Sequence, residues 1–147
     1  MAQALIDRLR ADLNGARKSR DRDRTLLLGT TLAEARNREI ELRRTLSDED
    51  MQAVLNAAVK RREEAAQQMR AAGRLELADR ETAEAEALRA YLPEPLTEDA
   101  VRGLVADAVS AGATDLGSVM RAIMPQIRGR FDGRDANRLA REALGEG

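Results

Sequence analysis

Four arginines lie close together near the end of the chain, in the segment IMPQIRGRFDGRDANRLA, residues 123–140. They are Arg128, Arg130, Arg134 and Arg138, and Gly129 and Gly133 stand among them at positions typical of a turn. A guanidinium donates several N–H groups to phosphate oxygens, and the start of a helix presents further free N–H groups. The segment therefore has the chemistry of a phosphate-binding turn, with nucleic acid as the expected ligand.

The same turn also fits a purely structural role. Asp132 is a good N-cap for the last helix, so its carboxylate would occupy the N–H groups that a phosphate needs, and Asp135 would repel an anion. Asn137 could donate to a ribose or a base edge, or it could tie down the preceding loop. A phosphate-binding turn and a capped turn with solvated arginines are both open, with Gly129, Asp132 and Gly133 shaping the turn in either case.

A second basic strip is predicted in the first half of the chain. Residues 8–44 contain 11 basic and 6 acidic residues, a balance of +5, whereas the balance is −3 over residues 48–89 and +4 over residues 121–141. The candidates in this strip are Arg17, Lys18, Arg20, Arg36, Arg61 and Arg62. The alternative is an ordinary charged surface, because polar and charged side chains normally cover the solvent face of a helix.

The run ARKSRDRDR, residues 16–24, alternates in sign over its second half. This pattern predicts a solvated connection between two helices, with ion pairs inside the run. Only Arg17, Lys18 and Arg20 are not offset by neighbouring acids, so they are the part of the run best suited to an anion.

Composition excludes several kinds of site. The chain has no cysteine and no histidine, so disulfides and Cys–His or Ser–His catalysis are excluded and zinc is not expected. Glu81 and Glu84 share a helix face with no third ligand, and we expect no metal and no cofactor. No apolar run approaches the roughly 20 residues of a membrane span, so we expect a soluble, cytoplasmic protein with no membrane partner.

Apolar residues recur three and four positions apart along nearly the whole chain, which predicts an all-α fold. The second and third helices are predicted to be long and, joined by a tight turn at Ser47, to form an antiparallel hairpin with the first and fourth helices flanking it. We expect the second helix to begin after the charged run. Gly73 is well placed to end the third helix.

The segment LPEPLT, residues 92–97, predicts a domain boundary, because a residue that precedes proline avoids the helical conformation. We therefore divide the chain into an N-terminal helical domain of residues 1–92, a Pro-containing hinge of residues 93–97 and a C-terminal three-helix domain of residues 98–147. Thr97 and Asp132 are expected N-caps of the first and third C-terminal helices, and either Asp115 or Thr114 is expected to begin the middle one. Pro125 is expected to kink the middle one.

Several of these segments resemble the signature of YqeY-like proteins. The most specific pieces are YLP at residues 91–93, GSVM at 117–120, MP at 124–125 and GRFDGRDAN at 129–137. The C-terminal unit of that family is similar to the tail of the B subunit of tRNA-dependent amidotransferases, and some bacteria fuse a similar module to a glutaminyl-tRNA synthetase. The resemblance implies an all-helical fold with a hinge, and an association with tRNA or its aminoacylation machinery.

The resemblance leaves three functions open. The one we favour is a noncatalytic tRNA-binding or tRNA-aminoacylation accessory protein. The second is an adaptor that docks on an aminoacyl-tRNA synthetase or on amidotransferase subunits. The third is a glutamine-dependent carbon–nitrogen ligase, the family-level label, although that activity belongs to the full amidotransferase, whose catalytic domains are absent from these 147 residues.

Two features depart from the usual pattern of the family. Phe131 stands where a small residue is usual, and an exposed phenylalanine there could stack on a base or pack at a partner surface. Gly29 and the Thr30–Thr31 pair interrupt the leucine-rich pattern that is usual in this helix of the family.

Overall fold

Seven α-helices and no strands make up residues 3–146, the part of the chain that the computed structural model describes. The helices are α1 (Leu5–Lys18), α2 (Arg22–Leu42), α3 (Asp48–Ala71), α4 (Leu75–Arg89), α5 (Glu98–Ser110), α6 (Leu116–Ile127) and α7 (Gly133–Ala143). The all-α fold predicted from the apolar spacing is therefore confirmed. None of these helices is long and apolar enough to cross a membrane.

The chain divides into two units, the first ending at Leu92 and the second beginning at Pro93. Helices α1–α4 belong to the first unit and α5–α7 to the second, and each unit has its own apolar core. The segment predicted to be a hinge is bonded within the second unit: the Leu96 N–H donates to the Arg130 carbonyl oxygen, and Arg130 Nε donates to the Glu94 carbonyl oxygen, both at 2.9 Å. Residues 94–96 are thus fixed to the connection between α6 and α7, while the hinge itself stays a prediction.

Leucines from all four helices form the core of the first unit. Leu9, Leu28, Leu55 and Leu88, one from each helix, are at most 1% exposed. The most extensive contacts join α3 to α4, and the next most extensive join α1 to α2. The predicted hairpin of α2 and α3 is present but open, with a groove of about 530 Å³ between its helices, because each packs mainly against its other neighbour.

The turn at Ser47 is stabilised by reciprocal hydrogen bonds. Ser47 Oγ accepts from the Asp50 N–H at 3.1 Å, and the Asp50 carboxylate accepts from the Ser47 N–H at 2.9 Å, which is a capping box. The Arg44 guanidinium also binds this carboxylate and, together with the cap, holds the pKa of Asp50 well below its usual range. The start of α1 is joined to the same end of α3, because the Leu5 N–H donates to Asp48 Oδ1 at 2.9 Å.

Helix α2 begins earlier than the apolar pattern predicted. It begins at Arg22, inside the charged run, because Asp21 Oδ1 accepts from the Arg24 N–H at 3.1 Å and caps the helix. It ends at Leu42, so Leu46 lies in the connection to α3, although its side chain is buried. The predicted start after the run was therefore wrong, and the connection between α1 and α2 shrinks to residues 19–21.

Helix α2 also continues unbroken through Gly29 and Thr31, where the leucine-rich pattern of the family is interrupted. The Thr31 side chain is fully buried, and its hydroxyl donates to the Leu27 carbonyl oxygen at 2.8 Å, which satisfies the polar group inside the helix. A glycine in a helix interior costs about 1 kcal/mol relative to alanine, a cost that tertiary packing can offset.

In the second unit, three helices pack around Val101, Ile123 and Leu139, which are at most 2% exposed. The predicted N-cap at Thr97 is confirmed, because Thr97 Oγ1 accepts from the Ala100 N–H at 3.1 Å. Of the two candidates for the start of α6, the cap is Asp115, whose Oδ1 accepts from the Ser118 N–H at 2.7 Å. Helix α6 runs through Pro125 to Ile127, and the predicted kink at that proline stays a prediction.

Candidate nucleic-acid interface

The connection between α6 and α7 is a tight turn with a fixed backbone. Gly129 has a φ of 75°, and the N–H groups of Arg130 and Phe131 both donate to the Ile127 carbonyl oxygen, at 2.8 and 3.0 Å. Asp132 Oδ1 then accepts from the backbone N–H groups of the next helix, at 2.7 and 3.3 Å. The predicted cap is confirmed, and a phosphate at this helix start would have to displace the Asp132 carboxylate.

Arg130 stabilises the loop rather than extending into solvent. Its Nε donates to the Glu94 carbonyl oxygen, and its own carbonyl oxygen accepts from the Leu96 N–H. The side chain is half-buried in consequence. A phosphate contact by Arg130 would therefore compete with a hydrogen bond inside the unit.

Arg138 lies between two carboxylates. Its Nη2 is 2.6 Å from Glu98 Oε1, and its Nη1 is 3.1 Å from Glu142 Oε1. These hydrogen bonds raise the pKa of Arg138 above its ordinary value, and the bond from Arg138, with the nearby charge of Arg102, lowers the pKa of Glu98. The positive charge of Arg138 is thus largely compensated by neighbouring carboxylates.

Asn137 makes a contact on its own helix. Its Oδ1 accepts from Arg141 Nε at 2.8 Å, one turn further on, and the residue is half-buried. Among residues 3–146 the amide N–H groups of Asn137 have no acceptor, so they are the part of this side chain suited to an outside acceptor.

Arg134 and Arg128 are the exposed cations that flank the turn. Within residues 3–146 the Arg134 guanidinium has no acceptor, whereas Arg128 does make an interaction with the protein. Phe131, whose role the sequence left open, is partly buried against the core of the second unit. The turn thus presents arginine side chains and no fully exposed aromatic ring.

The second basic strip divides into compensated and uncompensated cations. Arg61 Nη2 is 2.5 Å from Glu34 Oε2, and Arg62 Nε is 3.3 Å from Glu84 Oε2. Arg36, by contrast, is exposed on α2 and has no acceptor in the described part of the chain.

The remaining members of the strip meet where α1 ends and α2 begins. We call residues 17–22 the α1–α2 corner; it contains Arg17, Lys18, Arg20 and Arg22. All four side chains are exposed, and among the described residues none of them has an acceptor. Arg22 was not singled out from the sequence, because the acids on either side of it suggested ion pairs inside the run.

A partly buried polar network around Tyr91 was not predicted at all. The Tyr91 hydroxyl donates to Asp12 Oδ2 at 2.5 Å and accepts from Arg24 Nη2 at 2.9 Å, and the Arg8 guanidinium lies 5.0 Å from the ring centre. Burial, with the hydrogen bond to Asp12, raises the pKa of Tyr91 to about 12. The network joins residues up to 79 positions apart, so no local spacing could have indicated it.

A comparison with models of protein families identifies a match over most of the chain. A family model described as "Yqey-like protein" matches residues 6–144, which is nearly the whole chain. No curated protein matches the sequence. The matched range includes the α6–α7 turn, the α1–α2 corner and Tyr91.

Proposed function

The chain belongs to the YqeY-like protein family, and from that membership we propose that it is a noncatalytic accessory protein that binds tRNA. The proposal builds on the resemblance of the family's C-terminal three-helix unit, residues 98–147 in this chain, to the tail of the B subunit of tRNA-dependent amidotransferases. Its ligand would be held by backbone phosphates rather than by base sequence, since RNA helices are recognised mostly by shape and phosphate contacts.

The observation that carries this proposal is the distribution of uncompensated cations. Arg134 beside the α6–α7 turn and the four cations of the α1–α2 corner are exposed, have no acceptor among the described residues and lie at helix ends with fixed backbones. Such side chains lose little protein bonding when they bind phosphate. Tyr91 is 6% exposed and Phe131 is partly buried, which favours contact by charge over base stacking.

The test is binding of labelled tRNA across a salt series from about 50 to about 200 mM. Each phosphate contact releases counterions, so the affinity should fall steeply as salt is raised. Absence of binding at low-micromolar protein and low salt would refute the proposal.

The C-terminal contribution can be tested with Arg134→Gln. This change removes an unpaired charge and should reduce the magnitude of the salt slope by about 1. Arg102→Gln is the matched control in the same unit, because Arg102 is already within 4 Å of Glu98, Asp99 and Glu142 and should leave the slope nearly unchanged.

A second candidate function, an adaptor for a synthetase or amidotransferase, is favoured by one face of α2. Leu26, Ala33 and Ile40 are seven residues apart and lie on the side of α2 opposite to the buried Leu28 and Ala35. Leu26 is 70% exposed and Ile40 is 65% exposed. Exposed apolar side chains on one helix face can contribute to contact with another protein, and on this face they alternate with polar residues such as Arg36 and Asn37.

Affinity capture after nuclease treatment would separate this function from RNA binding. An adaptor should retain its synthetase or amidotransferase partner without RNA, and the double variant Leu26→Ser, Ile40→Ser should lose it. If nuclease removes the partner from the wild-type protein as well, the association runs through RNA.

The third alternative, glutamine-dependent carbon–nitrogen ligase activity, has less support from the chemistry of the chain. A sequence without cysteine and histidine offers no Cys–His or Ser–His pair to activate a nucleophile. We expect the purified protein to transfer no ammonia from glutamine to misacylated tRNA.

A further inference from the structure

The α1–α2 corner contains four cations without an acceptor among the described residues, whereas the sequence pattern indicated three. Arg17, Lys18, Arg20 and Arg22 fall within six residues, and all are exposed without an acceptor among residues 3–146. Their mutual repulsion costs free energy in the absence of a counter-charge. A site of this kind is suited to a ligand that carries several negative charges at short intervals.

The acids beside these cations are committed to other partners. Asp21 caps α2 by accepting from the Arg24 N–H, and Asp23 pairs with Arg80 of α4 at 3.2 Å. The ion pairs predicted inside the run are therefore absent for these two acids, because neither carboxylate pairs with any of the four cations. The local charge stays positive even though the sequence alternates in sign.

Helix stability does not explain the whole cluster. Arg17 and Lys18 lie in the last turn of α1, where the helix dipole favours a cation. Arg20, however, has a φ of 59°, a conformation that asparagine or glycine adopts more easily, and Arg22 occupies the first position of α2, where the dipole disfavours a cation. Two of the four charges thus stand where stability alone would select other residues.

The second unit is less suited than the first to be the main contact with a polyanion, because its net charge is more negative. Residues 93–147 contain seven basic and nine acidic residues, a balance of −2, whereas residues 1–92 contain 18 basic and 17 acidic residues, a balance of +1. Arg130 and Arg138 already bind acceptors of their own unit. The α6–α7 turn offers fewer uncompensated charges than the α1–α2 corner does.

We propose that the α1–α2 corner, in the first unit, is the principal contact for the backbone phosphates of RNA. This inference rests on the proposed tRNA binding and relocates its main electrostatic site from the C-terminal arginines. Exposed guanidinium and ammonium groups at the junction of two helices would bind successive phosphates.

The first test replaces the cluster without disturbing the helices. The variant carries Arg17→Gln, Lys18→Gln, Arg20→Asn and Arg22→Gln. Asparagine tolerates the positive φ at position 20, and none of the four side chains has a bond to lose. We expect tRNA affinity at about 100 mM salt to fall at least about tenfold, and the salt slope to decrease in magnitude by about 2 to 4.

A control variant with the same loss of charge in the same unit separates local contact from net charge. It replaces four arginines by glutamine, each of which is paired with a carboxylate: Arg10, Arg38, Arg70 and Arg89. Circular dichroism should show unchanged helicity for both variants. The inference predicts a much smaller loss of affinity for this control than for the corner variant.

A second test uses the wild-type protein. The chain has only two lysines, Lys18 in the corner and Lys60 on α3, and both are exposed. Acetylation of lysine, followed by mass spectrometry, should show strong protection of Lys18 by bound tRNA and little protection of Lys60. The internal control makes the result independent of any substitution.

The outcomes distinguish the two proposals. If wild-type protein binds tRNA but the corner variant and the control lose affinity equally, or if Lys18 and Lys60 are protected equally, the corner is not the principal site and the proposed function stands. If wild-type protein does not bind tRNA at low salt, the proposed function itself is wrong.

Discussion

Tyr91 is the residue at which charged groups from α1 and α2 meet the end of α4. Its hydroxyl binds both Asp12 and Arg24, and Arg8 lies over its ring. The side chain is 6% exposed, so water cannot readily replace its hydrogen bonds when they are lost. This single phenol therefore contributes to the stability of the first unit.

Removal of the hydroxyl by Tyr91→Phe should lower the free energy of unfolding by about 1.5 kcal/mol, because a hydrogen bond to a charged partner is lost and Asp12 is left without it. Chemical denaturation at neutral pH would measure the change. Leu77→Ala, at a side chain that is 43% exposed, is a control expected to cost much less.

The contribution of Tyr91 should also depend on pH in a defined direction. The pKa of Tyr91 is raised to about 12 in the folded protein, chiefly by burial, and lies near 10 in the unfolded chain. A raised pKa means that the stabilisation is complete below about pH 10 and is lost as the pH rises towards 12. Because Tyr91 is the only tyrosine, ultraviolet absorbance of tyrosinate reports its titration directly; a midpoint near 10 in folded protein would contradict the prediction.

The sequence best predicted the hydrogen bonds whose partners lie two or three positions further along the chain. Asp132 and Thr97 cap helices as expected, because an N-cap bonds the backbone two or three residues further on. The pairing of Arg138 with Glu98, 40 residues away, has no such local signal. The sequence therefore identified the turn but could not show which arginines were already compensated.

At the scale of helices, α2 combines a buried threonine, an interior glycine and an apolar stripe that faces solvent. Its start was misplaced because the charged run hid the cap at Asp21. Thr31 is accommodated inside the helix because its hydroxyl donates to the Leu27 carbonyl oxygen. The outward stripe of Leu26, Ala33 and Ile40 has a seven-residue spacing that was visible in the sequence. It could have been found by counting apolar residues on both faces of the helix.

Gly29→Ala should stabilise the protein by about 0.5 to 1 kcal/mol, because alanine has the higher helix propensity and a Cβ at Gly29 meets nothing within 4 Å. Thermal denaturation would measure the gain. Gly73→Ala is the contrasting variant: its φ of +75° disfavours a side chain, so we expect a loss of about 1 kcal/mol or more. Destabilisation by Gly29→Ala would show that α2 needs the flexibility of glycine.

At the scale of the whole molecule, the two apolar cores suggest two unfolding events. The first core is built from α1–α4 and the second from α5–α7. The prolines of residues 92–97 indicated where a boundary would fall, but the sequence could not show that residues 94–96 bind the α6–α7 connection. That requires the contact between Glu94 and Arg130, which are 36 positions apart.

Ile123→Val, in the second core, should destabilise that unit by about 1 kcal/mol, through the loss of one buried methyl group. Tyrosine fluorescence reports only the first unit, whereas circular dichroism reports both. We expect Ile123→Val to shift part of the dichroism transition and to leave the Tyr91 transition in place. The corresponding variant in the first core, Leu55→Ala, should shift the Tyr91 transition. If either variant shifts the fluorescence and the dichroism transitions equally, the two units unfold together.

The two hydrogen bonds that join Arg130 to Glu94 and Leu96 have a thermodynamic consequence. A phosphate that captured the Arg130 guanidinium would release the Glu94 carbonyl, so occupancy of the α6–α7 turn and order in residues 94–96 are linked. Linkage is reciprocal, so an event that breaks the bonds of residues 94–96 to Arg130 should favour anion binding by Arg130. The coupling free energy is the same in both directions.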